Sequence, residues 1–499
     1  MVCCFEVFFS QPFEQIELIK PFEQIACFMP LLVFSPTGIL EVLFFLFYKI
    51  VSMNRFVTLF FSIFLFASAS AQHSKNLTKL TNKLLLSDSI INGAHLGISI
   101  YDPETNSFVY TYNAEKNFIP ASNTKFFTLY AGMKYLGNNI VGAYYKISND
   151  TIFLLPTGDP TYLHPDFKIH PVHDFLNNNN YKVVLLDDEK YPVPYGKGWA
   201  WDDQQEDYMP QRSSFPGCGN LLKLEWIKNN NAKPDEFQYD LAEMNADVID
   251  FKLTKKTDTN LSENIISRAA GTNHITVTTN NKLKTFSQEI PFETFGLQTG
   301  FMILQHSLYH LATLQKTKLI NRDEYMPLFS QKSDSVFSIM MHRSDNFYAE
   351  QTLLMSANER LGYMNESDMI DSLLQNDLTD IPQHPRWVDG SGLSRYNLFS
   401  PNDFIYIINK IQNEFGIERL KNILPTGGTG TLKNYFHADS SFIFAKTGSF
   451  SNNYTLCGLL TTQKNKQLIF SVMLNNYQGS GKAVRKLIEE YLHEVRVRY

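Results

Sequence analysis

The chain has 499 residues, of which 44% are hydrophobic, and a formal net charge of −6 from 44 basic and 50 acidic residues. This length is ample for a large core and predicts two or three domains or one elaborate domain. A nucleic-acid-binding protein would show a clustered basic excess, which this composition lacks, so we expect no nucleic-acid partner.

Residues 53–71 have the layout of a secretory signal peptide. Met53-Asn54-Arg55 is a short positive region, "FVTLFFSIFLF" at 56–66 is apolar, and Ala69-Ser70-Ala71 is a small-residue cleavage site. Because such a peptide should begin a protein, residues 1–52 are interpreted as an extension from a misassigned start codon.

The alternative is a membrane anchor at 39–51, "ILEVLFFLFYKIV". It is short for a span of about 20 residues and contains a glutamate and a lysine. No other segment is long and apolar enough to span a membrane, so the mature chain is expected to be soluble and periplasmic. It keeps Cys218 and Cys457, which allow one disulfide but do not form a disulfide framework.

The two ends of the mature chain predict one antiparallel sheet of five strands. The elements that build it are, in order, leucines at helical spacing in 75–86, a hairpin over Leu96–Asn113, a helix over Phe126–Leu136, strands at 440–450, 454–462 and 467–476, and a helix at 482–495. Further helices at Phe347–Arg360 and Pro401–Asn413 would cover the sheet, the second with Ser400 as N-cap.

The middle of the chain has a different composition. Residues 150–295 are rich in Asn, Asp, Lys and Pro and contain short β-like runs such as "YKVVLLDD" and "HITVTT". We interpret them as an inserted β-rich region of one or two small domains, with surface loops at 177–180 and 228–233. The catalytic domain would then comprise 72–149 and 296–499.

A serine and a lysine three residues apart open the helix predicted after the hairpin. Ser122 and Lys125 share one face of its first turn, so the serine oxygen and the lysine amine can meet. A lysine with an ordinary pKa of about 10.4 is a poor base, but burial and neighbouring cations lower that pKa. The pair is therefore a candidate nucleophile and base; alternatively, Ser122 only caps a helix and Lys125 lies in solvent.

Lys446-Thr447-Gly448 follows an apolar strand run and is a candidate substrate-binding edge. Lys446 and Thr447 could hold a substrate carboxylate, and Gly448 would let the substrate backbone approach. The N–H of Ser449, with that of Ser122, could form an oxyanion hole. The alternative is an ordinary strand end with a surface lysine.

Ser344-Asp345-Asn346 lies between these two motifs in the chain. The Ser344 hydroxyl could relay a proton to the leaving amine, and Asn346 could hold a substrate amide. As a pattern S-x-N is weak, but S-x-x-K, S-D-N and K-T-G in this order are the signature of class A β-lactamases and penicillin-binding proteins.

The sequence resembles the class C low-molecular-mass penicillin-binding proteins, the D-alanyl-D-alanine carboxypeptidase/endopeptidase family of peptidoglycan metabolism. The segments that carry the resemblance are "FIPASNTK", "LPTGDPTY", "GWAWDDQ", "HRSDNFYAE", "VDGSGLSRYNLFSP", "TGGTGTLKNYF" and "AKTGS". "DGSGLSR" is the most discriminating, because β-lactamases do not resemble it there. The resemblance implies an α+β fold with a β-lactamase/transpeptidase-like domain and an inserted β-rich region.

What the resemblance implies for the site follows motif by motif. Ser122 would be the acylated nucleophile, Lys125 its base and Ser344 the proton relay, whereas Asn346, Lys446, Thr447, Gly448 and Ser449 would bind substrate. Asp389–Arg395 would shape a loop. The expected partners are peptidoglycan stem peptides and β-lactam antibiotics, with no metal and no other cofactor. The alternatives are a β-lactamase or esterase on the same fold, or a non-catalytic peptidoglycan-binding protein.

Overall fold

The computed structural model describes residues 76–227, 236–240, 252–258, 260–263, 265–279, 286–318 and 320–499. The predicted signal peptide at 53–71, the alternative anchor at 39–51 and the loop predicted at 228–233 lie outside these residues. Among the residues described, no helix is long and apolar enough to cross a membrane.

Strands and helices alternate irregularly along the chain, as expected for an α+β fold. Residues 76–86 are helical and end in a π-helical turn, Asn82–Leu86. The strands are β1 (His95–Asp102), β2 (Ser107–Tyr112), β3 (Asn139–Ser148), β4 (Thr151–Pro156), β5 (Lys182–Asp187), β6 (Leu221–Ile227), β7 (Glu236–Asp240), β8 (Lys252–Thr257), β9 (Ile265–Arg268), β10 (His274–Thr279), β11 (Phe286–Pro291), β12 (Ala312–Lys316), β13 (Met326–Lys332), β14 (Ile443–Phe450), β15 (Asn453–Thr461) and β16 (Gln467–Asn475). The α-helices are α1 (Ser89–Asn92), α2 (Lys125–Tyr135), α3 (Pro171–Asn177), α4 (Gln298–Ser307), α5 (Ser333–His342), α6 (Asn346–Leu361), α7 (Glu366–Ser372), α8 (Pro401–Phe415), α9 (Ile417–Ile423) and α10 (Gly481–Arg498).

The sheet predicted from the two ends of the chain is present. Its strand order is β14-β15-β16-β1-β2, and all neighbours are antiparallel. β1 joins the C-terminal strands by pairing with β16, with His95 opposite Asn475. The prediction of a five-stranded antiparallel sheet flanked by helices is therefore confirmed.

Both faces of this sheet are buried, because side chains alternate along each strand. Leu456 on β15 belongs to the core formed with α10 and the helical segment 76–86. Its neighbour Cys457 belongs to the core formed with α2, α5, α6 and α8. α8 begins as predicted: the Ser400 hydroxyl accepts a hydrogen bond from the Asp403 N–H at 3.2 Å, and the Asp403 carboxylate accepts one from the Ser400 N–H at 2.7 Å.

The predicted β-rich region contains the strands β4 to β11 and the helix α3. Its strands take part in a mixed sheet, β12-β5-β4-β3-β13, and in two three-stranded sheets, β11-β6-β7 and β8-β10-β9. β3, β12 and β13 lie outside the predicted limits of 150 and 295 and extend the mixed sheet. The division into a catalytic domain and inserted domains stays a prediction.

Candidate active site

Ser122 lies in a 3-10 turn, Ala121–Thr124, which leads directly into α2. The turn is attached to the central sheet, because the Thr455 hydroxyl on β15 donates to the Pro120 carbonyl at 2.7 Å. Ala121 has a φ of 48°, in the left-handed region that few non-glycine residues adopt. This attachment fixes the position of Ser122. Because the residue is only half-buried, its hydroxyl is still accessible to a ligand.

Lys125 is the first residue of α2, and its side chain reaches three polar groups. Its amine donates to the Ser122 hydroxyl at 3.0 Å, to the Asn346 side-chain oxygen at 2.7 Å and to the Ser391 carbonyl at 2.7 Å. The residue has no exposed surface. The structure thus brings the serine and the lysine together as their spacing predicts, and the alternative of a solvent-exposed Lys125 is wrong.

Burial decides the protonation of this amine. It lowers the pKa of Lys125 from 10.5 to about 8, and the carboxylates of Asp345, Asp389 and Glu350 act in the opposite direction. Removing the amine from water disfavours its charged form more than the carboxylates favour it. Lys125 can therefore be neutral near physiological pH, as a general base for Ser122 must be.

The S-D-N motif forms the start of α6, with Asn346 as the first helical residue, and faces both other motifs. Ser344 has a φ of 62°, and the side chain of Asp345 caps the helix. Asn346 accepts from the Lys125 amine through Oδ1 and donates to the Tyr208 carbonyl through Nδ2, at 2.9 Å. Asn346 therefore orients the lysine, a contact that the sequence pattern did not indicate.

Lys446 on β14 connects the third motif to the second. Its amine donates to the Ser344 hydroxyl at 2.7 Å and to the Thr447 carbonyl at 2.6 Å, and the residue has no exposed surface. Burial, followed by the nearby charge of Lys125, holds the pKa of Lys446 well below its usual value. Substrate-carboxylate binding by Lys446 stays a prediction, and the alternative of a surface lysine is wrong.

Gly448 is required by packing within the protein. A Cβ at this position would lie 2.4 Å from the Pro120 carbonyl oxygen and 3.1 Å from the Asn123 nitrogen, in the segment that carries Ser122. The missing side chain lets β14 approach the segment that carries the serine. The expectation that Gly448 also makes room for the substrate backbone stays a prediction.

The edge of β14 that is not paired with β15 faces the site. The Ala445 N–H donates to the Pro425 carbonyl at 2.9 Å, on the side away from β15. Since alternate residues of an antiparallel strand share that side, the N–H groups of Thr447 and Ser449 also point away from β15. An edge of this kind can pair with an extended peptide.

The Asp389–Arg395 loop closes the site beside Ser122, and the Asp389 carboxylate fixes its shape. That carboxylate accepts hydrogen bonds from four groups: the Gly392 N–H at 2.9 Å, the Ser394 N–H at 2.6 Å, the Asn397 side chain at 2.7 Å and the Trp199 indole at 2.8 Å. This geometry agrees with the loop-shaping role predicted for the segment.

A buried ion pair stabilises the Asp389–Arg395 loop. Glu350 accepts from the Ser391 N–H at 2.7 Å and pairs with Arg212 at 3.0 Å, and neither side chain is more than 1% exposed. Ser391 in turn provides the carbonyl that accepts from Lys125. The sequence gave no sign of this network, because its members come from distant parts of the chain.

A cavity of about 820 Å³ opens over Ser122 and is called the basic cavity below. Its lining residues are Ser122, His342, Arg343, Ser344, Gly430, Thr431, Lys433, Asn434, Tyr435, Thr447, Ser449 and Arg485. A second cavity, of about 530 Å³, lies on the other side of Ser344 and includes Asn346 and Tyr208. Sequence reasoning missed Arg485, which lies in a helix without any recognisable motif.

The described residues contain no group of His, Cys, Asp and Glu side chains that could hold a metal ion. Cys457 and Cys218 are not joined by a disulfide, so the disulfide that the sequence allowed is not formed here. Instead, the buried Cys457 thiol accepts a hydrogen bond from Asn123 at 2.8 Å, in the segment that carries Ser122.

Comparison with known proteins decides the family. The model of the D-Ala-D-Ala carboxypeptidase 3 (S13) family matches residues 78–495. The chain belongs to this family. As an S13 chain it is a serine-type D-Ala-D-Ala carboxypeptidase, which agrees with the resemblance seen in the sequence.

Similar proteins cover most of the S13 chain. Penicillin-sensitive carboxypeptidase A of Dictyostelium discoideum is 22% identical over 508 residues, which cover 89% of this chain and 97% of the relative. The crystal structure of penicillin binding protein 4 (dacB) from Haemophilus influenzae has a TM-score of 0.65 at 18% identity and covers 84% of this chain and 98% of its own. The same protein in complex with a β-lactam has a TM-score of 0.63 at 17% identity, covering 84% and 99%. These structures support the fold.

Proposed function

We propose that this protein is a secreted, periplasmic peptidase that cleaves the D-Ala–D-Ala bond, or a D-amino-acid cross-link, of peptidoglycan peptides through an acyl-enzyme on Ser122. The observation that carries the proposal is the 3.0 Å contact between the Lys125 amine and the Ser122 hydroxyl, in a setting where burial lowers the lysine pKa to about 8. The signal-peptide layout at 53–71 supports export.

Acylation follows from these positions. Ser122 Oγ attacks the carbonyl carbon of the scissile amide, and Lys125 takes the hydroxyl proton. The N–H groups of Ser122 and Ser449 stabilise the resulting oxyanion. The C–N bond then breaks, the proton held by Lys125 passes through Ser344 to the leaving nitrogen, and the acyl group remains as an ester on Ser122.

Deacylation returns the enzyme to its starting state. A water molecule attacks the ester carbonyl, the acid product leaves, and Ser122 regains its proton. The carboxylates nearest the serine–lysine pair are already engaged: Asp389 holds the loop, Glu350 pairs with Arg212, and Asp345 caps α6. We therefore expect slow hydrolysis of a penicilloyl ester and thus a stable adduct, in contrast to a β-lactamase.

The test is the intact mass of the purified protein after brief treatment with benzylpenicillin, beside a Ser122→Ala control. One stable penicilloyl adduct, absent from the control, is expected. Rapid loss of the drug without an adduct would favour a β-lactamase or esterase. If the drug stays intact and no adduct forms, the catalytic proposal fails and a peptidoglycan-binding protein is favoured.

A further inference from the structure

The charged side chains on the surface of the basic cavity are all basic: Arg343, Lys433 and Arg485. They are not equivalent. The Arg343 guanidinium is held by the Asp166 carboxylate at 2.6 and 2.9 Å and by Asp345 at 3.1 Å, so its charge is compensated. Lys433 is exposed and therefore well hydrated. A cavity lined in this way favours an anionic ligand.

Arg485 lies near the start of α10 and is half-buried. Its guanidinium donates to the Ser449 hydroxyl at 3.3 Å and lies over the Tyr454 ring, with 5.5 Å between the guanidinium carbon and the ring centre. Within the described part of the chain, no carboxylate pairs with it. Glu489, one helical turn further on, accepts from the Phe436 N–H instead. Arg485 is thus a positioned cation that no carboxylate of the described residues binds directly.

Ser449, which Arg485 contacts, places the guanidinium beside the active site. Ser449 follows the K-T-G motif on β14, and both it and Thr447 lie on the cavity surface together with Ser122. A ligand on Ser122 that extends into the basic cavity therefore meets the Thr447 and Ser449 hydroxyls and the Arg485 guanidinium. These are the donors that bind a carboxylate well, because a guanidinium presents two parallel N–H groups.

Lys446, the buried lysine of the K-T-G motif, is less suited than Arg485 to provide a positive charge for a carboxylate. Lys446 has no exposed surface, and its amine is already engaged by the Ser344 hydroxyl and the Thr447 carbonyl. Burial and the neighbouring Lys125 also favour its neutral form. A guanidinium, by contrast, keeps its charge throughout the working pH range.

We propose that Arg485 is a specificity-determining residue that binds the carboxylate on the carbon next to the leaving nitrogen of the substrate. This inference rests on the proposed function. In a stem ending in D-Ala–D-Ala, that group is the terminal carboxylate. In a cross-link, it is the carboxylate on the carbon that carries the scissile nitrogen. The protein then disfavours linkages whose leaving nitrogen lies on a plain methylene carbon.

The test compares ligands with and without this carboxylate. Benzylpenicillin is paired with its methyl ester in acylation assays, and an N-acetylated tripeptide ending in D-Ala–D-Ala is paired with its C-terminal amide in turnover assays. Arg485→Gln should lower the rate with each carboxylate ligand roughly 10- to 100-fold, mainly through KM for the peptide, because a hydrogen bond to a charged group is lost. The rates with the ester and the amide should stay within about twofold.

Two further variants complete the design. Arg485→Lys keeps the charge and should recover part of the loss with the carboxylate ligands, which also provides a readout if Arg485→Gln proves unstable. Lys486→Gln is the matched control, because Lys486 is the next residue of α10, is 71% exposed and pairs with Glu490. It should behave as the wild type does.

Equal losses with the carboxylate and blocked ligands would mean that Arg485 only supports the fold, and unchanged rates with both would mean that it does not contact substrate. Either result overturns the inference while leaving the proposed function intact. If the wild-type protein is acylated by neither penicillin nor its ester, the proposed function itself fails and this inference fails with it.

Discussion

The pH dependence of Ser122 acylation follows from the burial of Lys125, which lowers the lysine pKa from 10.5 to about 8. Below pH 8 the amine is mostly protonated and cannot accept the serine proton. The acylation rate should therefore rise about tenfold per pH unit up to about pH 8 and level off above it. At pH 7 a lysine with a pKa of about 8 is about 9% neutral, against about 0.03% at the ordinary pKa, so burial raises the neutral fraction of Lys125 roughly 300-fold.

Asp345→Asn is the sharpest perturbation of this pKa. The Asp345 carboxylate raises the pKa of Lys125, so its removal should lower that pKa further and move the inflection to more acidic pH. Asparagine also caps helices well, so α6 should keep its start. Arg343 keeps its bonds to Asp166.

The assay is the second-order rate of benzylpenicillin acylation, followed by intact mass between pH 6 and 10. Asp334→Asn is the matched control, because Asp334, like Asp345, lies at the start of a helix and pairs with an arginine, here Arg419. It should leave the profile unchanged. An inflection near pH 10 in the wild type, or a shift of the Asp345→Asn profile to higher pH, would refute the assignment of Lys125 as a base with a lowered pKa.

Three further predictions concern the supports of the site. Gly392→Ala should slow acylation tenfold or more, since its Cβ would lie 1.9 Å from the Ala121 carbonyl oxygen and displace the residue before the serine. The control is Gly362→Ala, because Gly362 has a φ of 84°, close to the 82° of Gly392, but has open space where its Cβ would lie. This control should lose only about 1–2 kcal/mol of stability and keep its acylation rate. Glu350→Ala should destabilise the protein by about 3–5 kcal/mol in urea unfolding, because it leaves the buried Arg212 without one partner, and a loss below 1 kcal/mol would contradict the argument. Lys446→Met should abolish acylation, because it removes the amine that donates to Ser344, yet it should raise the free energy of unfolding by about 1 kcal/mol, because no carboxylate of the described residues pairs with this buried amine; a lower melting temperature would count against this.

Local sequence patterns were enough to predict much of the fold. The turn residues between β1 and β2, the Ser400–Asp403 capping box and the strand-like runs after 440 each depend on contacts a few residues apart. Such contacts are encoded by neighbouring residues and can be predicted from them. The helix α3 inside the β-rich region has no comparably strong pattern and was not predicted.

The serine–lysine pair belongs to the part of the site that the sequence determines. Ser122 and Lys125 are three residues apart, so any helical turn at that place brings them to one face. Their order along the chain with Ser344 and Lys446 also indicated the family before any geometry was known.

Tertiary structure alone decided how the motifs meet and how they are charged. Ser344 and Lys446 are 102 residues apart, and only the tertiary fold brings their side chains to 2.7 Å. The same holds for Arg485, which reaches Ser449 across 36 residues, and for Gly448, whose missing side chain accommodates Pro120. A pKa depends on burial and on charges from every surrounding element. The base character of Lys125 therefore belongs to the folded protein and not to its local sequence.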